Sequence, residues 1–328
     1  MLLPYSMLFL TTLLMSTLMA LSATHWIFLW LSLELNMLSF IAIMHQNQKT
    51  QTTEATVKYF VIQAVGSILF LTTGISTQML TPHPLLPPAL IMLSIFMKMG
   101  AAPFHFWFPP VASSLNWNTL LILSTWQKLA PLGVLSAAMK WSAPHIPLII
   151  AAASALAGGL GGIGQTQLRP IIAFSSIGHL GWMIALTYVN PSAMIAYFIV
   201  YVFLITPLLL VLKTINISSI LNNKMLISNK EFMMMAILLL SIGGVPPFSG
   251  FILKWMSIQI LTGFISPVML AILILGSLLS LYFYLNILFS TLSITPTTPK
   301  SKTTTLTPAL TSYTLTSLFF MDFLIMLM

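Results

Sequence analysis

A chain of 328 residues that is 58% hydrophobic and only 5% charged cannot cover a water-facing surface, because soluble domains carry roughly 25% charged residues. Lipid is the remaining solvent for most of its exterior, so the chain reads as an integral membrane protein. Its net charge of +8 comes from twelve Lys and Arg against four Asp and Glu, but the cations stand singly, which excludes the basic, aromatic-interleaved face of a nucleic-acid binder.

A membrane span needs about 20 mostly apolar residues. About eleven segments qualify, predicting an all-α polytopic transmembrane bundle, one domain over 1–328. The first, 3–23, lacks a positive n-region and is too long for a signal peptide's apolar core. Nor is it the arginine-rich helix of a transit peptide, so it reads as a retained span. The second, 25–44, carries Glu34 in WLSLELNML and ends at the polar linker HQNQKTQTTEAT. The third is 57–80; at its entrance Glu54 and Lys58 form an i,i+4 pair that reads as a surface feature. TPHPLLPP introduces the fourth, 85–107, which contains MKMGAAPFHFWF, and the fifth, 117–139, contains STWQKLAPLG.

The sixth segment, 146–165, holds a GxxxG at Gly158 and Gly162, a close-packing signal. The seventh, 170–188, carries His179 in SSIGHLGW, and the eighth is 192–212. After the polar stretch NISSILNNKMLISNKE, the ninth, 233–262, is too long for one straight span and contains GGVPP. The tenth is 267–290, and the linker STLSITPTTPKSKTTT leads to the eleventh, 306–327. Alternating these spans puts Lys49, Lys58, Arg169, Lys213, Lys224, Lys230, Lys300 and Lys302 on one side and only Lys140 on the other. The positive-inside rule then sets the N-terminus on the cytoplasmic or matrix side and the C-terminus opposite.

Four charges fall inside spans: Glu34, Lys98, Lys128 and Lys254. Each costs roughly 2.5–3.5 kcal/mol at a helix centre on insertion scales. The alternatives are a static ion pair or snorkelling lysines, the latter suited to Lys254 rather than to the more central Lys98 and Lys128. One carboxylate among three amines, in a low dielectric, is a set whose protonation responds to whether the acid is near or far. That chemistry moves protons without a metal or organic cofactor. His105, seven residues after Lys98 and two turns along the same face if the chain is barely bent there, and His179 are weaker relay candidates. Each is equally a packed, hydrogen-bonded side chain.

Breaks accompany the charges. Gly100 and Pro103 interrupt the fourth segment just after Lys98, and Gly243, Gly244, Pro246 and Pro247 interrupt the ninth before Lys254. Reversed order of charge and break in two halves is the pattern of an inverted-repeat transporter core, although two unrelated proline kinks would look the same. With no cysteine and six scattered histidines, disulfides, cysteine-held iron–sulfur clusters and a metal site are not expected.

Together MKMGAAPFHFWFP, TWQKLAP, QTQLRPIIAFSSIGHLGWM, GGVPPFSGFILKW and SLELNML resemble the subunit 2 family of mitochondrial NADH:ubiquinone oxidoreductase, respiratory complex I. The resemblance runs over nearly the whole chain, weakening at the first span and beyond about residue 290; only the Arg169–Pro170 loop departs from the usual pattern. It implies an antiporter-like fold of two inverted five-helix repeats, each with one broken helix. It also implies that Glu34 pairs with Lys98, that Lys128 carries the proton onward, that Lys254 marks the exit side, and that His105 and His179 line the hydrated axis. A multi-pass position in the mitochondrial inner membrane follows, N-terminus to the matrix and C-terminus to the intermembrane space. The expected partners are other complex I subunits, neighbouring antiporter-like subunits and membrane lipids. No cofactor is expected in this chain; NADH, FMN, iron–sulfur clusters and ubiquinone belong to partner subunits. A free-standing cation/proton antiporter and a structural membrane spacer are the competing readings.

Overall fold

A computed structural model describes residues 4–46, 50–78, 86–139, 145–215, 229–246, 248–292 and 311. Among them the regular structure is helical. Nine segments are long and apolar enough to cross a bilayer. The eleventh predicted segment lies outside the described residues, apart from Thr311.

Contacts divide the chain into two compact units, Met1–Ile150 and Ala151–Met328. The first unit contains α1 (Pro4–Ser22), α2 (Trp26–His45), α3 (Thr50–Gln78), α4 (Leu86–Met99), a 3-10 turn (Phe104–Trp107), α5 (Phe108–Ser114), α6 (Trp117–Ser124) and α7 (Trp126–Ala138). Helix α1 lies against α2 and α7, α2 against α3, and α4 against both α3 and α7. The α1/α2/α7 seam is apolar, with Ala20, Leu33 and Ala130 buried together. Two turns further along α2 an aromatic chain runs inward: Phe40 meets Tyr59 at 5.3 Å between ring centroids, and Tyr59 meets Trp107 at 5.6 Å. Leu14, Leu18, Ile27 and Phe28 stay exposed, as side chains facing lipid would be.

Helix α8 (His145–Gly162) crosses into the second unit, followed by α9 (Leu168–Val189), α10 (Pro191–Ile215), α11 (Asn229–Gly243), α12 (Ser249–Thr262) and α13 (Pro267–Leu292). Helix α9 is buried on all sides, the signature of a central element. The predicted small-residue seam is a real close approach: a Cβ on Gly158 would run into the backbone of Gly178 on α9.

Three segments of the first unit differ from their predicted form. The third begins earlier than expected, at Thr50, so the Glu54–Lys58 pair sits on the first turns of α3 with its side chains exposed. The fourth stops at Met99 and resumes as a 3-10 turn and α5. The fifth, expected to be continuous, is interrupted at Thr125 (φ −113°, ψ −73°). There the Thr125 hydroxyl donates to the Leu121 carbonyl at 2.6 Å, competition that bends helices. Pro131 leaves the Gln127 carbonyl without its i+4 donor in the following turn.

Helices α4 and α11 end in the same backbone device. Gly100 has φ +71° and Gly244 φ +82°, a left-handed conformation that favours glycine. The Gly100 amide donates to Met97 O and the Ala101 amide to Phe96 O; likewise Gly244 donates to Ser241 O and Val245 to Leu240 O. Both are Schellman caps. Glycine, rather than the proline that follows, therefore ends each helix. Gly243 is the last residue of α11, Pro246 lies beyond the cap, and Pro247 is outside the described residues.

Candidate functional site

In the first unit, α2, α3, α4, α5 and α7 converge on a cavity of about 20 Å³ bordered by Asn36, Tyr59, Gln63, Lys98, Gln127 and Lys128 with apolar neighbours. One water needs roughly 10–15 Å³, so a water fits. Lys98 is 8% exposed and Lys128 2%. Lys98 occupies the last turn of α4, where the unpaired carbonyls and the helix dipole favour a cation. Its aliphatic stem lies on Gly66 of α3, where a Cβ would come within 3.2 Å of Lys98 Cγ. Its own carbonyl accepts a hydrogen bond from Gln63 Nε2 at 3.0 Å, and the Trp107 indole donates to Met97 O at 3.3 Å. Gln63 thus occupies a carbonyl that the broken helix leaves open, and the indole adds a second donor to the Met97 carbonyl already used by the cap.

Lys128 follows the Thr125 kink by three residues, and its ammonium stands 5.8 Å from the centre of the Phe108 ring, within cation–π range. Glu34 on α2 is half-buried. Its charge acts on both Lys98 and Tyr59, yet the Glu34–Lys98 pair makes no ion contact within 4.0 Å among the described residues. Glu34 Oε2, Asn36 Oδ1 and Gln127 Nε2 are buried without a protein hydrogen bond, while Tyr59 Oη donates to Gln127 Oε1 at 3.4 Å. Unsatisfied buried polar groups of this kind lose roughly 1–3 kcal/mol each. Asn36 and Gln127 border the water-sized space together with the two amines, a setting suited to taking up and passing protons.

His105 is placed differently from expectation. The left-handed turn at Gly100 ends α4 at Met99, so His105 does not continue that helix. It sits in the 3-10 turn, stacked on Phe106 at 4.4 Å with its Nδ1 buried and unpartnered. The two-turn continuation of the Lys98 face therefore does not exist, because α4 ends at Met99 and His105 belongs to a separate 3-10 turn.

In the second unit, Lys254 is 9% exposed and does not snorkel. Its Nζ donates to the Gly243 carbonyl at 2.6 Å, reaching from α12 back to the end of α11. Gly244 leaves the space for it, since a Cβ there would lie 2.9 Å from Lys254 Cδ. Gly250 lets α12 pass α11 so closely that any Cβ would overlap the Ser241 carbonyl oxygen. His179, 8% exposed on α9, has Nδ1 2.8 Å from Tyr197 Oη. The structure therefore groups Glu34, Lys98 and Lys128 in one unit, and His179 and Lys254 in the other. Tyr59, Gln63, Asn36 and Gln127 were missed at the sequence level because polar, uncharged side chains are common in membrane helices. The available signal was their spacing toward the lysine-bearing face.

The model of the family described as NADH:quinone oxidoreductase/Mrp antiporter, TM, matches residues 23–280. The chain is 46% identical over 299 residues to NADH-ubiquinone oxidoreductase chain 2 of Lumbricus terrestris, covering 89% of this chain and 88% of that one. It is 40% identical over 306 residues to the chain 2 protein of Xenopus laevis, covering 90% and 88%. Among solved structures it is similar in fold to a chain of respiratory complex I from Thermus thermophilus with bound aureothin. That match has a TM-score of 0.81 and 23% identity, covering 98% of this chain and 77% of that one.

Proposed function

The chain belongs to the NADH:quinone oxidoreductase/Mrp antiporter transmembrane family, and from that membership we propose that it is a proton-translocating membrane-arm subunit of NADH-ubiquinone oxidoreductase in the mitochondrial inner membrane. The observation that carries this reading is the burial of Lys98, Lys128 and Lys254 inside apolar helices, each beside a helix interruption.

The first unit supplies a switch. At an effective dielectric of about 20, bringing opposite charges from roughly 8 Å to 4 Å gains about 2 kcal/mol. Moving one charge against 100 mV requires about 2.3 kcal/mol. Closing and opening the Glu34–Lys98 pair therefore exchanges energy on the scale of the membrane potential. With Glu34 close, Lys98 holds its proton; with Glu34 away, desolvation favours release. Lys98 and Lys128 both border the cavity, and the charged form of Lys128 has the aromatic face of Phe108 beside it. We assign His179 and Lys254 to the second unit's part of the same route, and His105 to its periphery. The N-terminus faces the matrix. Redox chemistry and its NADH, flavin, iron–sulfur clusters and ubiquinone sit in partner subunits, other antiporter-like subunits adjoin this one, and lipid covers the apolar exterior.

The test is Lys98→Met in the assembled enzyme, with proton uptake by proteoliposomes followed during NADH oxidation. Loss of most proton transfer, with the enzyme still assembled, is expected. Wild-type pumping per NADH would leave the chain a structural spacer.

A further inference from the structure

Trp30 and Glu34 are an i,i+4 pair on α2, and each holds a buried polar atom that no protein group satisfies. Trp30 Nε1 has no acceptor, and Glu34 Oε2 has no donor. One is an N–H, the other a carboxylate oxygen, and residues at this spacing share a helix face. Side chains on a helix also lean toward its N-terminus, onto the preceding turn, so Glu34 leans toward Trp30.

The surroundings give the indole no other side-chain acceptor. The hollow beside it is lined by Trp26, Ile27, Phe70, Leu71, Gly74 and Ile75, none of which carries one. Trp26 packs on Phe70 at 5.7 Å between ring centroids, and a Cβ on Gly74 would stand 3.4 Å from Trp26 Cβ. Further along α2, Phe40 meets Tyr59. That antiparallel register of α2 and α3 sets Glu34 level with Gly66, the residue on which the stem of Lys98 lies. The carboxylate therefore has the amine at its own level and the indole one turn back. Among the described residues it makes neither contact.

We propose that Trp30 is a positioning residue for Glu34: its indole N–H donates to the carboxylate when the carboxylate swings away from Lys98. The acid then has two seats, an ion pair with the ammonium and a hydrogen bond to the indole. No proton passes between Trp30 and Glu34; the indole holds the open state in which Lys98 gives up its proton. This role rests on the proton-translocating reading of the chain.

Trp30→Phe and Trp30→Gln in the assembled enzyme test it, beside Lys98→Met, with protons counted per NADH oxidised. Phenylalanine keeps an aromatic ring against α3 and lacks the donor, whereas glutamine fills the space poorly and keeps an N–H. Trp30→Phe should lose roughly tenfold in proton transfer, the weight of one hydrogen bond to a charged group, and Trp30→Gln should recover most of it. A packing role gives the opposite order. Equal pumping in the two variants, or more in Trp30→Phe, with Lys98→Met inactive, overturns the role of Trp30 and spares the reading of the chain. Full pumping in Lys98→Met overturns that reading and the positioning role with it. Should either Trp30 variant not assemble, Trp30→Leu and Trp30→His are compared in the same way: more pumping in Trp30→His supports the role, and equal or less overturns it.

Discussion

Lys98 and Lys254 meet the same difficulty with the same backbone feature. Each lysine is tied to a half-helix closed by a left-handed glycine, Lys98 as a residue of its last turn and Lys254 through an Nζ that reaches its final carbonyl from the next helix. The helix terminus offers partial negative charge in a place where lipid offers none. Removing the amine of Lys254 leaves the Gly243 carbonyl unpaired, and a hydrogen bond to a charged group contributes about 1.5–3 kcal/mol. Lys254→Met should therefore both lower the yield of assembled enzyme and stop proton transfer. Lys254→Arg should keep most of the yield. Native gels and proteoliposome pumping read the two effects separately. The charged residues were legible in the sequence because a lysine in IFMKMG contradicts its surroundings. Tyr59 and Gln127 were not, because tyrosine and glutamine contradict nothing until the fold brings them to a cavity that the lysines share.

At the scale of elements, two kinds of glycine do different work. Gly100 and Gly244 end helices; Gly250 allows one helix to cross another. Adding a methyl at Gly250 drives it into the Ser241 carbonyl, and backbone on both sides must move. Gly263, at the end of α12, has nothing within 4 Å of an added Cβ. Gly250→Ala should reduce assembled enzyme several-fold, while Gly263→Ala should leave it unchanged, as judged by native electrophoresis of membranes. The breaks in MKMGAAP and GGVPP could be read from glycine and proline alone, although proline drew the eye and glycine ends the helix. The interruption at Thr125 could not be read. LILSTWQKLAP contains no glycine, and the kink arises from a threonine hydroxyl bonding back one turn together with Pro131 downstream. His105 shows the reverse error: helical spacing from Lys98 had meaning only for a helix that continues.

The two units repeat one logic. A Schellman-capped half-helix, a buried lysine and a set of uncharged hydrogen-bonding side chains occur in each. The apolar exterior and the all-helical, membrane-crossing architecture were evident from composition and hydropathy, since lipid leaves the chain no other way to satisfy its backbone. The orientation proposed from the lysines in the loops is directly measurable, because the sequence contains no cysteine. Thr24 and Thr50 are exposed at opposite ends of α2. A thiol placed by Thr50→Cys should react with an impermeant maleimide only from the matrix side, and one placed by Thr24→Cys only from the intermembrane side. The reverse pattern would invert the topology.

Proton transfer through buried amines is most directly tested by counting protons moved per NADH oxidised in the assembled enzyme carrying Lys128→Met, beside Lys58→Met. Lys58 is exposed and paired only with Glu54 on the surface of α3, whereas Lys128 is 2% exposed at the cavity. The expected result is a lower proton count for Lys128→Met and the wild-type count for Lys58→Met. Equal, undiminished counts for both would contradict it.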